Sequence, residues 1–131
     1  MFVYHAQFER SRIRELAERF SGLRRPLIAI TERIVDLLPI TERRFYHPSQ
    51  EGSWSIKKVL PAIAPDLRYD ALDGVQDGQM AMQAYSEAIA PATTRTRKDE
   101  IRRQLLEYCA LDTYAMVRLW QYLSGRKDFR N

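Results

Sequence analysis

The last third of the chain contains two residues that could act together on a helix. Tyr108 and Asp112 are four residues apart, and residues at that spacing share one face of an α-helix. Asp112 also interrupts an apolar stripe that recurs at three- and four-residue steps. The other members of the stripe are Ile101, Leu105, Tyr108, Met116, Leu119 and Leu123. Burying an unpaired carboxylate is costly, so Asp112 needs a partner, a metal ion or access to water.

A second acidic residue has the same relation to a helix near the start of the chain. The spacing of Ile13, Leu16 and Phe20 predicts a helix from Gln7 to Phe20 with these side chains in the core. The same stripe, extended back by one turn, reaches Glu9. Glu9 and Asp112 could therefore converge at the rim of a core, where carboxylates can hold a metal ion.

Each acid also has a simpler interpretation. Glu9 is favoured near a helix N-terminus by the helix dipole, whatever its function. Asp112 could form an ion pair with Arg103 or Arg118. The pattern alone leaves both interpretations open.

The elements that would position these residues follow from hydrophobic periodicity and from the positions of proline and glycine. Asp36 is expected either to bond backbone or to face the site. Asp77 could bind a metal ion from another direction, but a role in a turn or as a helix N-cap is preferred. The predicted elements are a strand at 2–4, helices at 7–20, 26–38, 56–63, 79–90 and 97–123, and loops at 40–52 and 65–78. Pro39 is expected to end the second helix.

Composition limits the class of protein. The chain has 131 residues, 45% of them apolar and 29% charged, with a formal net charge of +4. This length predicts one domain at residues 1–124 and a flexible tail at 125–131. A lone cysteine, Cys109, excludes an internal disulfide and is expected in the core. The sequence shows neither a signal peptide nor an apolar run of bilayer length, which predicts a cytoplasmic protein without a membrane partner.

Two segments resemble motifs of one nuclease superfamily. Leu106–Thr113 contains Tyr-x-x-x-Asp and resembles the third motif of the tyrosine-bearing DEDD 3′–5′ exonucleases. Tyr4–Glu9 resembles their second motif, with His5 in place of the usual Asn and Glu9 in place of the usual Asp. The resemblance implies that Glu9 and Asp112 bind Mg²⁺ or Mn²⁺ when the superfamily's first motif is supplied, and that Tyr108 is a catalytic residue that orients the attacking water.

Residues 2–124 as a whole are similar to an uncharacterised bacterial domain family related to these exonucleases. That family often lies C-terminal to a RecB-like nuclease domain, which the resemblance implies as a partner in the parent protein. The implied fold is a partial RNase H-like α/β fold, predominantly helical with a short N-terminal strand and without the leading strands of the sheet. The superfamily's first motif, Asp-x-Glu, does not occur in the sequence.

The resemblance therefore predicts the C-terminal portion of a DEDD-type exonuclease-like domain. We expect it to be inactive by itself, because half of the acidic quartet needed for two-metal hydrolysis is missing. The alternative is a non-catalytic helical module that binds nucleic acid or a partner protein. An exposed strand at Phe2–His5 would also favour a homodimer.

Paired basic residues give nucleic acid as an expected, non-specific partner. If folding brings these pairs onto one face, they could bind phosphates without reading sequence. If it does not, each pair is simply part of the solvated face of an amphipathic helix. The pairs are Arg24-Arg25, Arg43-Arg44, Lys57-Lys58, Arg97-Lys98 and Arg102-Arg103.

Overall fold

The computed structural model describes residues 1–126, and these are mostly helical. The elements are β1 (Phe2–Val3), α1 (Ala6–Arg19), α2 (Arg24–Glu32), β2 (Val35–Asp36), α3 (Leu38–Arg44), α4 (Ile56–Ile63), α5 (Gly78–Ile89) and α6 (Arg95–Ser124). Short 3-10 turns occupy Ser21–Leu23, Pro48–Gln50 and Tyr69–Ala71. Among the described residues, no helix has both the length and the apolar character needed to cross a bilayer. Most of the tail expected at 125–131 lies outside the described residues.

The two strands form a small parallel sheet between helices. Phe2 lies opposite Val35 and Val3 opposite Asp36, and α1 and α2 make the long connection that a parallel pair requires. Successive side chains of a strand point to opposite faces. Val3 therefore packs against residues on the α1 side of the sheet, while the Phe2 ring lies 5.5 Å from the ring of Trp120 on α6. The residues on the α1 side are Ala6 and Ile13 of α1 and Ile34, which lies between α2 and β2.

The carboxylate of Asp36 joins the starts of two helices. Oδ1 accepts hydrogen bonds from the backbone N–H groups of His5 and Leu38, each at 3.0 Å, and Oδ2 accepts one from Ala6 at 2.8 Å. Helix starts leave N–H groups without intrahelical partners, and these bonds satisfy them. His5 has a φ of 74°, an uncommon conformation for a residue other than glycine. Asp36 thus fixes both strand-to-helix turns. Of its two predicted roles, bonding to the backbone is the one that the structure confirms.

The larger core lies on the other face of the sheet and is crossed by α6. Leu37, Val59 and Leu119 are buried together, and Leu60 and Ala115 belong to a second buried cluster. The stripe predicted on the last helix is confirmed, because every one of its seven members is buried or half-buried. The helix ends at Gly125, which has a left-handed conformation with φ 71°.

The second predicted helix is wrong over its final residues. It ends at Glu32 instead of Leu38, and the strand β2 follows at once. Pro39 lies in the first turn of α3 and so helps to begin a helix. The physical reason is that a first-turn residue needs no N–H donor, so proline fits there. The loop expected at 40–52 accordingly contains the rest of α3 and a 3-10 turn.

Several residues expected in the core are exposed. Leu16 and Phe20 are 45% and 48% exposed, because the inward face of α1 is formed by Ala6, Ile13 and Ala17. Cys109 is also exposed, since it is one helical step, about 100°, away from the buried stripe of α6.

We predict that Asp36→Ala lowers the free energy of unfolding by about 2–3 kcal/mol, because it leaves three backbone donors without their charged acceptor. Urea unfolding followed by far-UV circular dichroism measures this loss. Asp70→Ala is the control, because Asp70 is exposed and its ion pair with Arg68 is exposed too, so its loss of stability should be much smaller. Equal losses in the two variants would contradict the role given to Asp36.

Candidate functional site

One edge of β1 is open. Met1 and Val3 face β2, since their carbonyl oxygens accept hydrogen bonds from the N–H groups of Val35 and Leu37, each at 2.9 Å. Backbone polar groups of a strand point alternately to its two sides, so the N–H and C=O of Phe2 point away from β2. The sheet described here has no strand on that side.

A groove of about 370 Å³ runs beside this open edge. Its lining includes Met1–Tyr4 from β1 and the following turn, Glu9 from α1, and Asp112 and Met116 from α6. Glu9 and Asp112 are both half-buried. The structure therefore brings together two predicted site residues that come from the two ends of the chain.

Glu9 reaches the groove from the first turn of α1. It lies three residues after the buried Ala6 and four before the half-buried Ile13, so it shares the inward face of the helix. The interpretation of Glu9 as a first-turn acid is correct for its position, and the same position gives it access to the groove.

Asp112 is held by a tyrosine. The hydroxyl of Tyr69 donates a hydrogen bond of 2.6 Å to Oδ1 of Asp112. The expected ion pairs with Arg103 and Arg118 are wrong, because Arg103 pairs with Asp73 and Glu107 while Arg118 pairs with Asp66. Asp112 belongs to no ion pair within residues 1–126.

Sequence reasoning did not identify Tyr69. The residue lies in the predicted loop 65–78, where a 3-10 turn buries its ring against Leu60, Ala64 and Ala115. Burial, together with the hydrogen bond to Asp112, raises the pKa of the Tyr69 phenol well above its usual value of 10.0. A single aromatic residue within an acidic loop was the only signal that could have drawn attention to it.

Tyr108 lies beside the groove and not in it. Its ring centroid is 6.0 Å from that of Tyr69, and the ring is half-buried against the same core cluster. Burial, followed by the nearby charge of Asp112, raises the pKa of its phenol. Of the three predicted site residues, the groove is lined by Glu9 and Asp112, while Tyr108 contacts the side chain that binds Asp112.

Comparison with known proteins bears on only one part of the chain. Residues 1–55 match the family described as Domain of unknown function (DUF2779). No curated protein and no solved structure matches the chain. The DUF2779 match contains β1 to α3, with Glu9 and Asp36, and it ends before the helix that carries Tyr108 and Asp112.

The described residues do not complete a metal centre. Within residues 1–126, no group of three or more His, Cys, Asp or Glu side chains is arranged to hold a metal ion. The hydroxyl of Tyr69 already binds one oxygen of Asp112. Among the residues that line the groove, Glu9 is the only other acidic side chain. Mg²⁺ is held through oxygen ligands in a near-octahedral arrangement, so these two carboxylates supply part of a site at most.

We predict that the protein loses stability as the pH rises above 10, because buried phenols keep protons that the unfolded chain releases. Tyr4 contributes between pH 10 and 12, since burial raises its pKa to about 12, and Tyr69 contributes in the same direction. Each phenol adds a slope of about −1.4 kcal/mol per pH unit to the free energy of unfolding.

Urea unfolding at several alkaline pH values measures this slope in wild type and in Tyr69→Phe. The variant should be less steep by the contribution of one phenol. Tyr85→Phe is the control, because Tyr85 is 60% exposed and its replacement should leave the slope unchanged. If Tyr69→Phe has the wild-type slope, the phenol of Tyr69 does not titrate as its surroundings indicate.

Proposed function

We propose that this chain contributes the second and third motifs of a DEDD-type 3′–5′ exonuclease-like domain that hydrolyses phosphodiesters of nucleic acid. The observation that carries the proposal is the groove beside β1, which is lined by both Glu9 and Asp112. Neither residue type nor spacing alone requires two acids from the ends of the chain to meet there. The resemblance of their surrounding segments to the two motifs gives their meeting a chemical interpretation.

The surroundings of the acids also support this proposal. Glu9 lies in the first turn of α1, which follows β1 after two residues, and Asp112 lies on the long helix α6, which packs against Phe2 of β1 through Trp120. A small sheet with helices packed against it agrees with the α/β class to which an RNase H-like domain belongs. The RNase H-like fold itself and the association with a RecB-like nuclease domain stay predictions.

The same geometry explains why we propose that the chain alone has little or no activity. Two-metal hydrolysis needs carboxylates that hold two ions about 4 Å apart. Glu9 and Asp112 do not suffice, and the sequence contains no Asp-x-Glu. The missing acids would have to reach the groove from other residues, and the open edge of β1 offers a place where a further strand could bring them.

We predict that the isolated chain binds Mn²⁺ weakly and shows no nuclease turnover on single-stranded DNA or RNA. Titration calorimetry should detect the weak binding in wild type and lose it in Asp112→Ala. Asp99→Ala, an exposed position on the same helix, is the matched control and should retain it. Wild-type binding in Asp112→Ala would contradict the metal assignment, and turnover abolished by Asp112→Asn would contradict the predicted inactivity.

A second candidate function, a binding module, is favoured by the open edge of β1. Phe2 presents an unpaired N–H and C=O there, and it is 41% exposed. Such an edge is a template for pairing with another chain, as in the expected homodimer. This function needs no metal and would use the groove as part of an interface.

For this candidate we predict a concentration-dependent dimer that is weakened by Phe2→Pro. Proline removes the outward N–H while leaving the Met1 and Val3 bonds to β2 in place. Phe2→Ala is the control, because it removes the ring contact with Trp120 but keeps the N–H. Sedimentation equilibrium measures the association. A wild-type protein that stays monomeric at all concentrations would exclude the dimer.

A further inference from the structure

Ion pairs divide the basic residues of the protein into two groups. Both lysines of α4 and three arginines of α6 are matched by acids close to them. The pairs are Lys57–Asp77 at 3.6 Å, Lys58–Glu51 at 2.7 Å, Arg97–Glu87 at 2.7 Å, Arg103–Asp73 at 2.8 Å and Arg118–Asp66 at 2.6 Å. The charge of these five side chains is largely compensated within the protein, so they are poor candidates for phosphate binding.

Most arginines of the α1–α2 hairpin, by contrast, have no acid paired with them in the described residues. Residues 6–33 contain seven Arg, four Glu and no Lys, a balance of +3. Among the described residues, Arg12 is the one hairpin arginine in an ion pair, with Glu15 on the next turn. Guanidinium groups match the geometry of phosphate oxygens and form paired hydrogen bonds with them. Six of the seven hairpin arginines therefore form no ion pair within the described residues.

Exposed phenyl rings accompany these arginines. Phe8, Arg12 and Arg19 recur at helical spacing on the solvent side of α1, and Phe8 is 60% exposed. The Arg12 guanidinium lies 5.6 Å from the centre of the Phe8 ring, and that of Arg19 lies 5.8 Å from the Phe20 ring. Each ring is thus available to solvent beside a cation.

The hairpin bend continues the same surface. Phe20 is 48% exposed, and Arg24 and Arg25 follow within one turn. These two arginines, with Ser21, Ile28 and one acid, Glu32, line an open cavity of about 550 Å³. We define the hairpin face as Phe8, Arg12, Arg19, Phe20, Arg24 and Arg25.

We propose that the hairpin face binds single-stranded nucleic acid, with its arginines on the phosphates and its two phenyl rings stacked on bases. Base–aromatic stacking beside a basic surface is the common way in which proteins hold single strands without reading sequence. The proposal extends the nucleic-acid function proposed above to a surface that contains neither Glu9 nor Asp112.

The arrangement favours nucleic acid over an anionic membrane. Arg12 and Arg19 are about 10 Å apart along the helix, at 1.5 Å per residue, and the bend extends the basic track further. A helix that lies on a membrane needs a continuous apolar face. On α1 the exposed ring of Phe8 is instead followed by Arg12, Glu15 and Arg19.

Fluorescence anisotropy with a labelled oligo(dT) in EDTA tests the proposal without any contribution from metal. Arg19→Gln/Arg24→Gln/Arg25→Gln should weaken binding at least tenfold. It should also make the slope of the logarithm of the binding constant against the logarithm of salt concentration shallower by about two. The matched control, Arg97→Gln/Arg103→Gln/Arg118→Gln, removes the same charge from paired positions and should change affinity less than threefold. Circular dichroism verifies that both variants are folded.

A second variant tests stacking. Phe8→Ala/Phe20→Ala should weaken oligo(dT) binding at least fivefold and leave binding of a DNA duplex unchanged, because paired bases cannot stack on the rings. The proposal is overturned if wild type fails to bind oligo(dT) at low salt, or if both arginine variants lose affinity equally. Binding to phosphatidylserine vesicles but not to oligo(dT) would assign the face to membranes instead. Absence of Mn²⁺ binding would affect only the exonuclease proposal.

Discussion

The carboxylate of Asp36 is the contact on which the arrangement of the N-terminal half depends. It accepts hydrogen bonds from three backbone N–H groups that belong to two separate helix starts. Because it emerges from β2, it fixes the direction in which α1 leaves β1. That direction determines that Glu9, one turn into α1, faces the groove instead of the solvent. A polar interaction outside the candidate site therefore sets the geometry of the site.

The opposite wall of the groove depends on a second polar contact. Asp112 occupies a position in an apolar stripe, where an unpartnered carboxylate would be costly. The phenol of Tyr69 satisfies one of its oxygens, and the groove gives the side chain access to water. Tyr69 is itself held by packing against Leu60 and Ala115, so the core fixes the orientation of the acid. Tyr108 contributes through its contact with the Tyr69 ring.

Sequence periodicity predicted what depends on local spacing. The stripe of α6 and the capping role of Asp77, which accepts a hydrogen bond of 2.8 Å from the Met80 N–H, are both confirmed. The two-residue strand β2 was not predicted, because two residues are too few to show a period. The bond from Tyr69 to Asp112 could not be predicted either, since it joins residues that are distant in sequence and depends on a loop conformation.

Helix α1 connects the two surfaces to which we assign a function. Glu9 and Arg12 are three residues apart and therefore neighbours on the helix surface, yet Glu9 is half-buried in the groove and Arg12 is exposed on the hairpin face. Two carboxylates in a groove repel a phosphodiester backbone unless cations lie within the screening distance, which is about 8 Å at physiological ionic strength. The first arginine of the hairpin face lies about one helical turn from Glu9. A strand held on that face would consequently meet the groove at its rim, where the repulsion from the two acids is partly offset.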